Sequence, residues 1–313
     1  MGRTTNIPWT HHTWSPWWGC VKRSPGCDNC YADSLSNRWG FNIWGPDAPR
    51  RFFGEHHWNE PRRWNREAQA AGERRRIFPS MCDPFEVRPD LEEPRRRMFK
   101  LIEETPWLTW LLLTKRVESV SRLIPPGWAK LWPINCWMIA SIEDQSSADL
   151  RVPHLLDLPA PVRGLSIEPL VEDLSLAHLW WRSDDGDAED MRDGTYCAID
   201  WVIVGGESGP KARPMHPAWA RRLRDQCIAA GVPFYFKQWG EYIPITPLYQ
   251  GRDDSAENGC GDLFQVDTHG YIWRDQDGQP NDPRTYLMER VGKKFAGNLL
   301  DGRTWEQYPE VKL

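Results

Sequence analysis

Three cysteines stand close together near the N-terminus, in Gly19-Cys20-Val21-Lys22-Arg23-Ser24-Pro25-Gly26-Cys27-Asp28-Asn29-Cys30-Tyr31. The spacing is C-x6-C-x2-C, and Ser24-Pro25-Gly26 is a turn signal that folds the segment back on itself. Cys20, Cys27 and Cys30 can therefore meet as metal ligands. Two chemistries fit. A structural zinc needs four protein ligands in a closed tetrahedron. His11 or His12 could supply the fourth, but the chain has no second C-x2-C or H-x3-H half. An iron–sulfur cluster also normally takes four thiolates. Held by three, it leaves one iron open to an outside ligand. Three unrelated thiols are the bland alternative. The other five of the eight cysteines are scattered, and Cys136 and Cys227 sit in apolar settings typical of a core.

The elements that must position this loop are legible as short apolar runs that end in charge. Arg76-Ile77-Phe78-Pro79-Ser80-Met81-Cys82 meets Asp83, and Trp107–Leu113 meets Thr114-Lys115-Arg116. Cys136–Ile142 meets Glu143, and Val162–Ile167 meets Glu168-Pro169. Trp201–Val204 meets Gly205-Gly206-Glu207-Ser208-Gly209, and Val232–Phe236 meets Lys237-Gln238. Such continuous runs are the pattern of parallel strands buried on both faces. The intervening stretches hold helices. The clearest is 217–230, with Pro217 in its first turn and Gly231 just past its end; Glu93–Glu104 and Val117–Leu123 are others. In βα barrels the functional groups collect at the C-terminal strand ends. A strand near Trp9–Trp14 would bring the cysteine loop to that same face.

The expected fold class is thus α/β: a partial (open) parallel βα barrel of about six or seven strands with a small β-rich C-terminal elaboration. A doubly wound open sheet is the alternative. The barrel is expected over residues 1–241, with a Trp/Arg-rich insertion at 41–76. Residues 242–313 read as β-hairpins (262–266 and 270–273) and a tail that packs back.

Composition narrows the function classes. The chain has 313 residues, 27% charged and 40% hydrophobic, which is globular. No apolar run approaches a membrane span, and no signal-peptide core opens the chain. A cytosolic protein without a membrane partner is expected. A net charge of −5 argues against a general DNA coat. Charge is nonetheless segregated: arginine is dense at 50–76 and 95–97, acid from Asp184 to Asp193. That permits a basic face, or simply two solvated helix surfaces. Most of the 20 Trp should be core or crevice walls, and a few could stack on bases.

The chain resembles a family. Thr13-Trp14-Ser15-Pro16…Gly19-Cys20…Ser24-Pro25-Gly26-Cys27-Asp28-Asn29-Cys30-Tyr31-Ala32 is similar to the phage-encoded three-cysteine-motif proteins of uncharacterised function. The likeness continues through Ser80–Phe85, Leu113–Arg116, Ser166–Leu170, Trp201–Pro210 with Arg213-Pro214-Met215, Phe236–Gly240 and Leu300–Arg303. That family is regarded as a distant relative of radical S-adenosylmethionine enzymes such as spore photoproduct lyase. The resemblance implies a partial barrel, a 4Fe–4S cluster on Cys20, Cys27 and Cys30, S-adenosylmethionine, an external electron donor and a 5′-deoxyadenosyl radical. The first cysteine spacing departs from the common C-x3-C-x2-C pattern, and Asn29 stands where an aromatic is usual; Tyr31 follows instead.

Further roles follow from that resemblance. Ser80 and Asp83 would bind the methionine amine, where a carboxylate makes a charge-assisted hydrogen bond to an ammonium; a helix cap is the plain alternative for Asp83. Gly205, Gly206, Glu207 and Ser208 form a turn that lets backbone approach a ribose or adenine, with Glu168 beside it. Lys115, Arg116, Glu143, Glu168 and Lys237 would line the substrate cavity, about half of them as ion-pair scaffold. Cys82 could give a hydrogen atom to a substrate radical, or be a buried bystander. The substrate suggested is a nucleobase in DNA or in a nucleotide, with a partner protein possible. The competing classes are a non-catalytic zinc- or cluster-stabilised nucleic-acid-binding protein, and a hydrolase using Glu143 and Glu168 as paired carboxylates.

Overall fold

The structure is a computed structural model that describes residues 5–177, 181–182, 196–245, 263–274 and 285–310. The acidic run 184–193 and Cys260 lie outside the described residues.

Seven parallel strands lie side by side in chain order: β1 (His12–Thr13), β2 (Arg75–Phe78), β3 (Leu108–Thr114), β4 (Cys136–Ile142), β5 (Arg163–Ile167), β8 (Trp201–Gly205) and β9 (Phe234–Gln238). The sheet is a curled half-barrel, as the apolar runs led us to expect. A two-residue ladder, β6 (Trp181–Arg182) with β7 (Tyr196–Cys197), lies between β5 and β8 in the chain. Helices α2 (Glu55–Ala71), α3 (Glu92–Glu104), α4 (Val120–Leu123), α5 (Gln145–Leu156) and α6 (Pro217–Ala230) return the chain between strands; α1 (Tyr31–Arg38) follows the cysteine loop. The segment expected as an insertion at 41–76 therefore holds the crossover helix α2, whose Trp58, Pro61 and Trp64 are buried. The helix expected at 117–123 splits into a 3-10 turn and α4.

Strand periodicity sorts the side chains into two layers. Trp110, Leu112, Met138, Ala140, Val202, Val204, Phe234 and Phe236 pack outward against the helices. Their neighbours Leu111, Trp137, Ile139, Trp201, Ile203 and Tyr235 turn inward with Trp9 and Phe78. These large rings fill one end of the lumen, with Trp201 edge-on to Trp9, Trp137 and Tyr235. The tail closes the same end. Residues 305–307 add hydrogen bonds to the free edge of β9. Tyr308 then packs on Trp201 and Tyr235, with the Arg76 guanidinium 3.9 Å from its ring centre. An exposed strand edge is thereby covered.

The C-terminal elaboration is a separate antiparallel sheet of β10 (Tyr242–Pro244), β13 (Tyr286–Arg290), β11 (Leu263–Val266) and β12 (Ile272–Arg274) in that order, followed by the single turn α7 (Lys293–Ala296). Among the described residues, no helix is long and apolar enough to cross a membrane.

The arginine-rich segments act mainly as clasps. Arg50 forms a buried pair with Glu86, and buried Arg95 donates to the carbonyls of Pro84 and Glu86. Arg62 pairs with Glu104, Arg97 with Glu55 and Arg75 with Glu67, tying α2 to α3 and β2.

Candidate functional site

The aromatic plug leaves the C-terminal ends of the strands open around a cavity of about 550 Å³. Trp9 and Phe78 belong to both the plug and the cavity wall. Cys20, Cys27 and Cys30 line this cavity, and so does Cys82. So do Ser80, Asp83, Lys115, Glu168, Gly206, Glu207, Ser208 and Lys237. Of the residues singled out from the sequence, Glu143 and Gly205 stand behind that wall.

The strand-end charges hold the cysteine loop. Asp83, after β2, has both carboxylate oxygens engaged. Oδ1 accepts from the Thr114 hydroxyl at 2.7 Å and the Phe85 amide at 3.0 Å. Oδ2 accepts from the Lys115 amide at 3.1 Å and the Arg116 guanidinium at 2.7 Å. Arg116 carries that anchor to the loop, donating to the Val21 carbonyl at 2.8 Å and lying 3.7 Å from the Cys20 sulfur. Lys115 pairs with Glu143 at 2.6 Å, and Glu143 also accepts from Arg151 of α5 at 2.9 Å. This ion group forms the bed of the Ser-Pro-Gly turn. A Cβ on Gly26 would lie 3.0 Å from the Lys115 ammonium and 3.1 Å from the Glu143 carboxyl carbon. Glycine is thus the residue that lets the loop sit on a charged floor.

The other flank is held from β8. Glu207 accepts from Asn29 at 3.0 Å, between Cys27 and Cys30. It also accepts from the backbone and guanidinium of Arg213, and Arg213 donates onward to the Pro25 carbonyl at 3.1 Å. The glycine pair before it is needed for packing within the chain. A Cβ on Gly206 would fall 1.9 Å from the Trp239 carbonyl oxygen, and one on Gly205 would meet Glu168 at 3.3 Å. Glu168 and Lys237 form a pair of their own at 2.5 Å, and Gln238 donates to Ser208 at 2.8 Å. Tyr31 donates to the Ser80 carbonyl at 2.9 Å.

Electrostatics separates these groups. Burial works to raise the Glu143 carboxyl, but Lys115 and Arg151 outweigh it and hold it below its usual range. An ionised, doubly paired carboxylate is poorly suited to general acid work. Burial pushes the Cys20 thiol up to about 12, with Asp83 adding to the shift. Burial also raises Cys30, and raises Cys82 strongly with Cys20 as a contributing neighbour. Buried thiols of this kind become thiolates when a metal supplies the balancing charge.

Among the described residues, no three of His, Cys, Asp or Glu converge on one point as a single ion requires. A zinc with ~2.3 Å bonds would need sulfurs only about 3.8 Å apart. Nor is a fourth ligand offered: His11 accepts from the Arg76 amide at 2.8 Å, and His12 stacks on Trp64. Cys20, Cys27 and Cys30 line one cavity, and thiolates are the soft donors that a metal centre there would take.

Several lining residues carried no signal in the sequence. Asn29 and Gln238 act through contacts with partners some 180 and 30 residues away. Lys293 comes from the C-terminal tail, and Trp39 and Trp44 from beyond the cysteine loop. The abundance of Trp in that region was the only hint.

The sequence matches no curated protein. Among solved structures the chain is similar to spore photoproduct lyase. A cysteine-to-serine variant of that enzyme aligns at 14% identity and TM-score 0.41, covering 72% of this chain and 64% of the other. A cysteine-to-alanine variant with dinucleoside spore photoproduct aligns at 11% identity and TM-score 0.38, covering 68% and 60%. A tyrosine-to-phenylalanine variant aligns at 12% identity and TM-score 0.37, covering 60% and 54%. The chain thus spans less than two thirds of the length of these structures. A family model matches residues 4–309, nearly the whole sequence, and the chain belongs to that family, the proteins of unknown function termed DUF5131.

Proposed function

We propose that this protein is a radical S-adenosylmethionine enzyme that acts on a nucleobase, in DNA or in a nucleotide, to modify or repair it. The observation that carries the proposal is the meeting of Cys20, Cys27 and Cys30 on one cavity, at the open end of a parallel half-barrel whose other end is plugged. Those three side chains would hold the 4Fe–4S cluster. When bound, such a cluster would pass an electron from an external donor for the reductive cleavage of S-adenosylmethionine.

The chain's own residues do the positioning. Arg116, braced by Asp83, fixes Cys20 and Val21; Glu207 and Arg213 fix Asn29 and Pro25. With both its oxygens taken, Asp83 acts on the cofactor through Arg116 and the loop. The hydroxyls of Ser80 and Ser208 and the Glu168–Lys237 pair are the polar groups that line the space left for cofactor and substrate. Trp9 and Phe78 close that space from the plugged end and exclude water there. Cys82, on the wall, is the thiol available to a reacting carbon.

Anaerobic reconstitution tests the proposal. The protein should take up about four irons per chain and turn brown. After reduction it should show a cluster signal in electron paramagnetic resonance, and with S-adenosylmethionine it should form 5′-deoxyadenosine. A colourless protein holding one zinc would refute the proposal, as would a reducible cluster that forms no 5′-deoxyadenosine.

A further inference from the structure

One acid on this cavity has an oxygen to spare. Among the described residues, the carboxylates that line it are Asp83, Glu168 and Glu207. Both oxygens of Asp83 are engaged, and so are both of Glu207. Glu168 differs. Its Oε1 accepts from the Lys237 ammonium at 2.5 Å and from the Gln238 amide at 3.5 Å. Its Oε2 accepts from no donor among the described residues. Lys237 in turn donates only to this carboxylate among the described residues, which leaves two of its three N–H groups open. An open acceptor and open donors thus stand side by side, on side chains only 19% and 11% exposed.

The sheet builds this pair. Glu168 follows β5 and Lys237 lies in β9, with β8 between them. Along β8 the inward-facing Trp201 and Ile203 are followed by Gly205. A Cβ there would come within 3.3 Å of the Glu168 carboxyl carbon. The glycine leaves the gap through which Glu168 reaches across β8 to Lys237. One layer nearer the plug, Ser141 of β4 and Ser166 of β5 are register partners. Both line the cavity, both are buried, and neither hydroxyl has a hydrogen-bond partner among the described residues. They add uncharged donors and acceptors beneath the pair.

Such a corner favours a neutral polar edge. A phosphate would face the carboxylate and a ligand ammonium would face the lysine, each a like-charge contact. A group with an N–H beside a carbonyl or ring nitrogen satisfies both, donating to Oε2 and accepting from Lys237. The pairing edge of a nucleobase carries such neighbours. Resting on the nucleobase reading above, we propose that Glu168 and Lys237 bind the pairing edge of the substrate base, over a floor made by Ser141 and Ser166. The base must then enter unpaired.

Calorimetric titration of the full chain tests this without reductant, so failure of radical chemistry does not enter the result. The probes are the four deoxynucleosides, each beside an analogue alkylated on a donor nitrogen of its pairing edge, such as 3-methylthymidine beside thymidine. The wild type should bind at least one parent about tenfold or more tighter than its alkylated analogue, as expected for a hydrogen bond to a charged group. Glu168→Ala should close that gap. Glu168→Gln keeps the side chain's size and can still accept from Lys237, but it turns the open acceptor into an amide donor, so it should close the gap as well. Excess S-adenosylmethionine should leave the nucleoside bound. A parent that binds no better than its analogue, a gap of wild-type size in either variant, or displacement by S-adenosylmethionine overturns the inference alone. Absence of binding of any nucleoside to the wild type overturns the nucleobase reading with it.

Discussion

Asp83 and Arg116 make a test of whether strand-end charge serves the cysteine loop. Their side chains are nearly buried, at 8% and 10% exposure, and they pair at 2.7 Å. The two truncations are not equivalent. Asp83→Ala strands the Arg116 guanidinium without its anion and leaves the Thr114 hydroxyl and the Phe85 and Lys115 amides without an acceptor. Removing one partner of a buried ion pair costs about 3–5 kcal/mol. Arg116→Leu leaves Asp83 with three of its four donors, so its stability cost is closer to that of a lost charged hydrogen bond, about 1.5–3 kcal/mol. The order reverses for the loop, because Arg116 alone reaches Val21 and Cys20. Chemical denaturation of the metal-free chain should therefore rank Asp83→Ala as the less stable protein. Hydrogen exchange in residues 20–23 should respond to Arg116→Leu without any accompanying change in β3 and β4. In the double variant the stability losses should sum to less than the two singles, since the stranded cation is gone. Equal stability losses, or loop exchange in Arg116→Leu at the wild-type rate, would refute the assignment of Arg116 as the anchor.

Four further variants have expected outcomes. Gly206→Ala should cost about 3 kcal/mol or prevent folding, because its Cβ would fall 1.9 Å from the Trp239 carbonyl oxygen. Gly127→Ala, with nothing within 4 Å, should stay within about 0.5 kcal/mol of wild type in the same denaturation assay. The Glu143 carboxyl is held below its ordinary 4.5 by Lys115 and Arg151 against the pull of burial, so its stabilisation is complete above that value and fades as pH falls through the lower folded value. The stability gap between wild type and Glu143→Gln should accordingly be full at neutral pH and shrink in the acid limb of a pH series; a gap that grows on acidification would contradict the pairing. Arg213→Ala should speed amide exchange across residues 25–30 at least about tenfold, as expected for charged hydrogen bonds worth about 1.5–3 kcal/mol, and unchanged protection there would place the loop's second anchor elsewhere.

The parts of this molecule that could be read along the chain are those whose physics is local. Strands β3, β4 and β8 are buried along almost their whole length and so appear as unbroken apolar runs. Helix α6 announces itself through Pro217 and Gly231. Helix α2 hides because Pro61 interrupts it and eleven polar or charged side chains surround its few buried rings, while β1 is only two residues long. The cysteine loop is legible because its sulfurs lie within eleven residues of one another. What holds it is not, since Glu207 and Asn29 are 178 residues apart and Arg116 and Val21 are 95. Position at a strand end shows that a charged side chain faces the cavity rim, but the same carboxylate can hold a ligand or a loop. Only a count of its occupied oxygens separates these roles. Asp83 and Glu207 are engaged on both oxygens, and the donors on them include Asn29 of the cysteine loop and Arg116 and Arg213, which reach that loop.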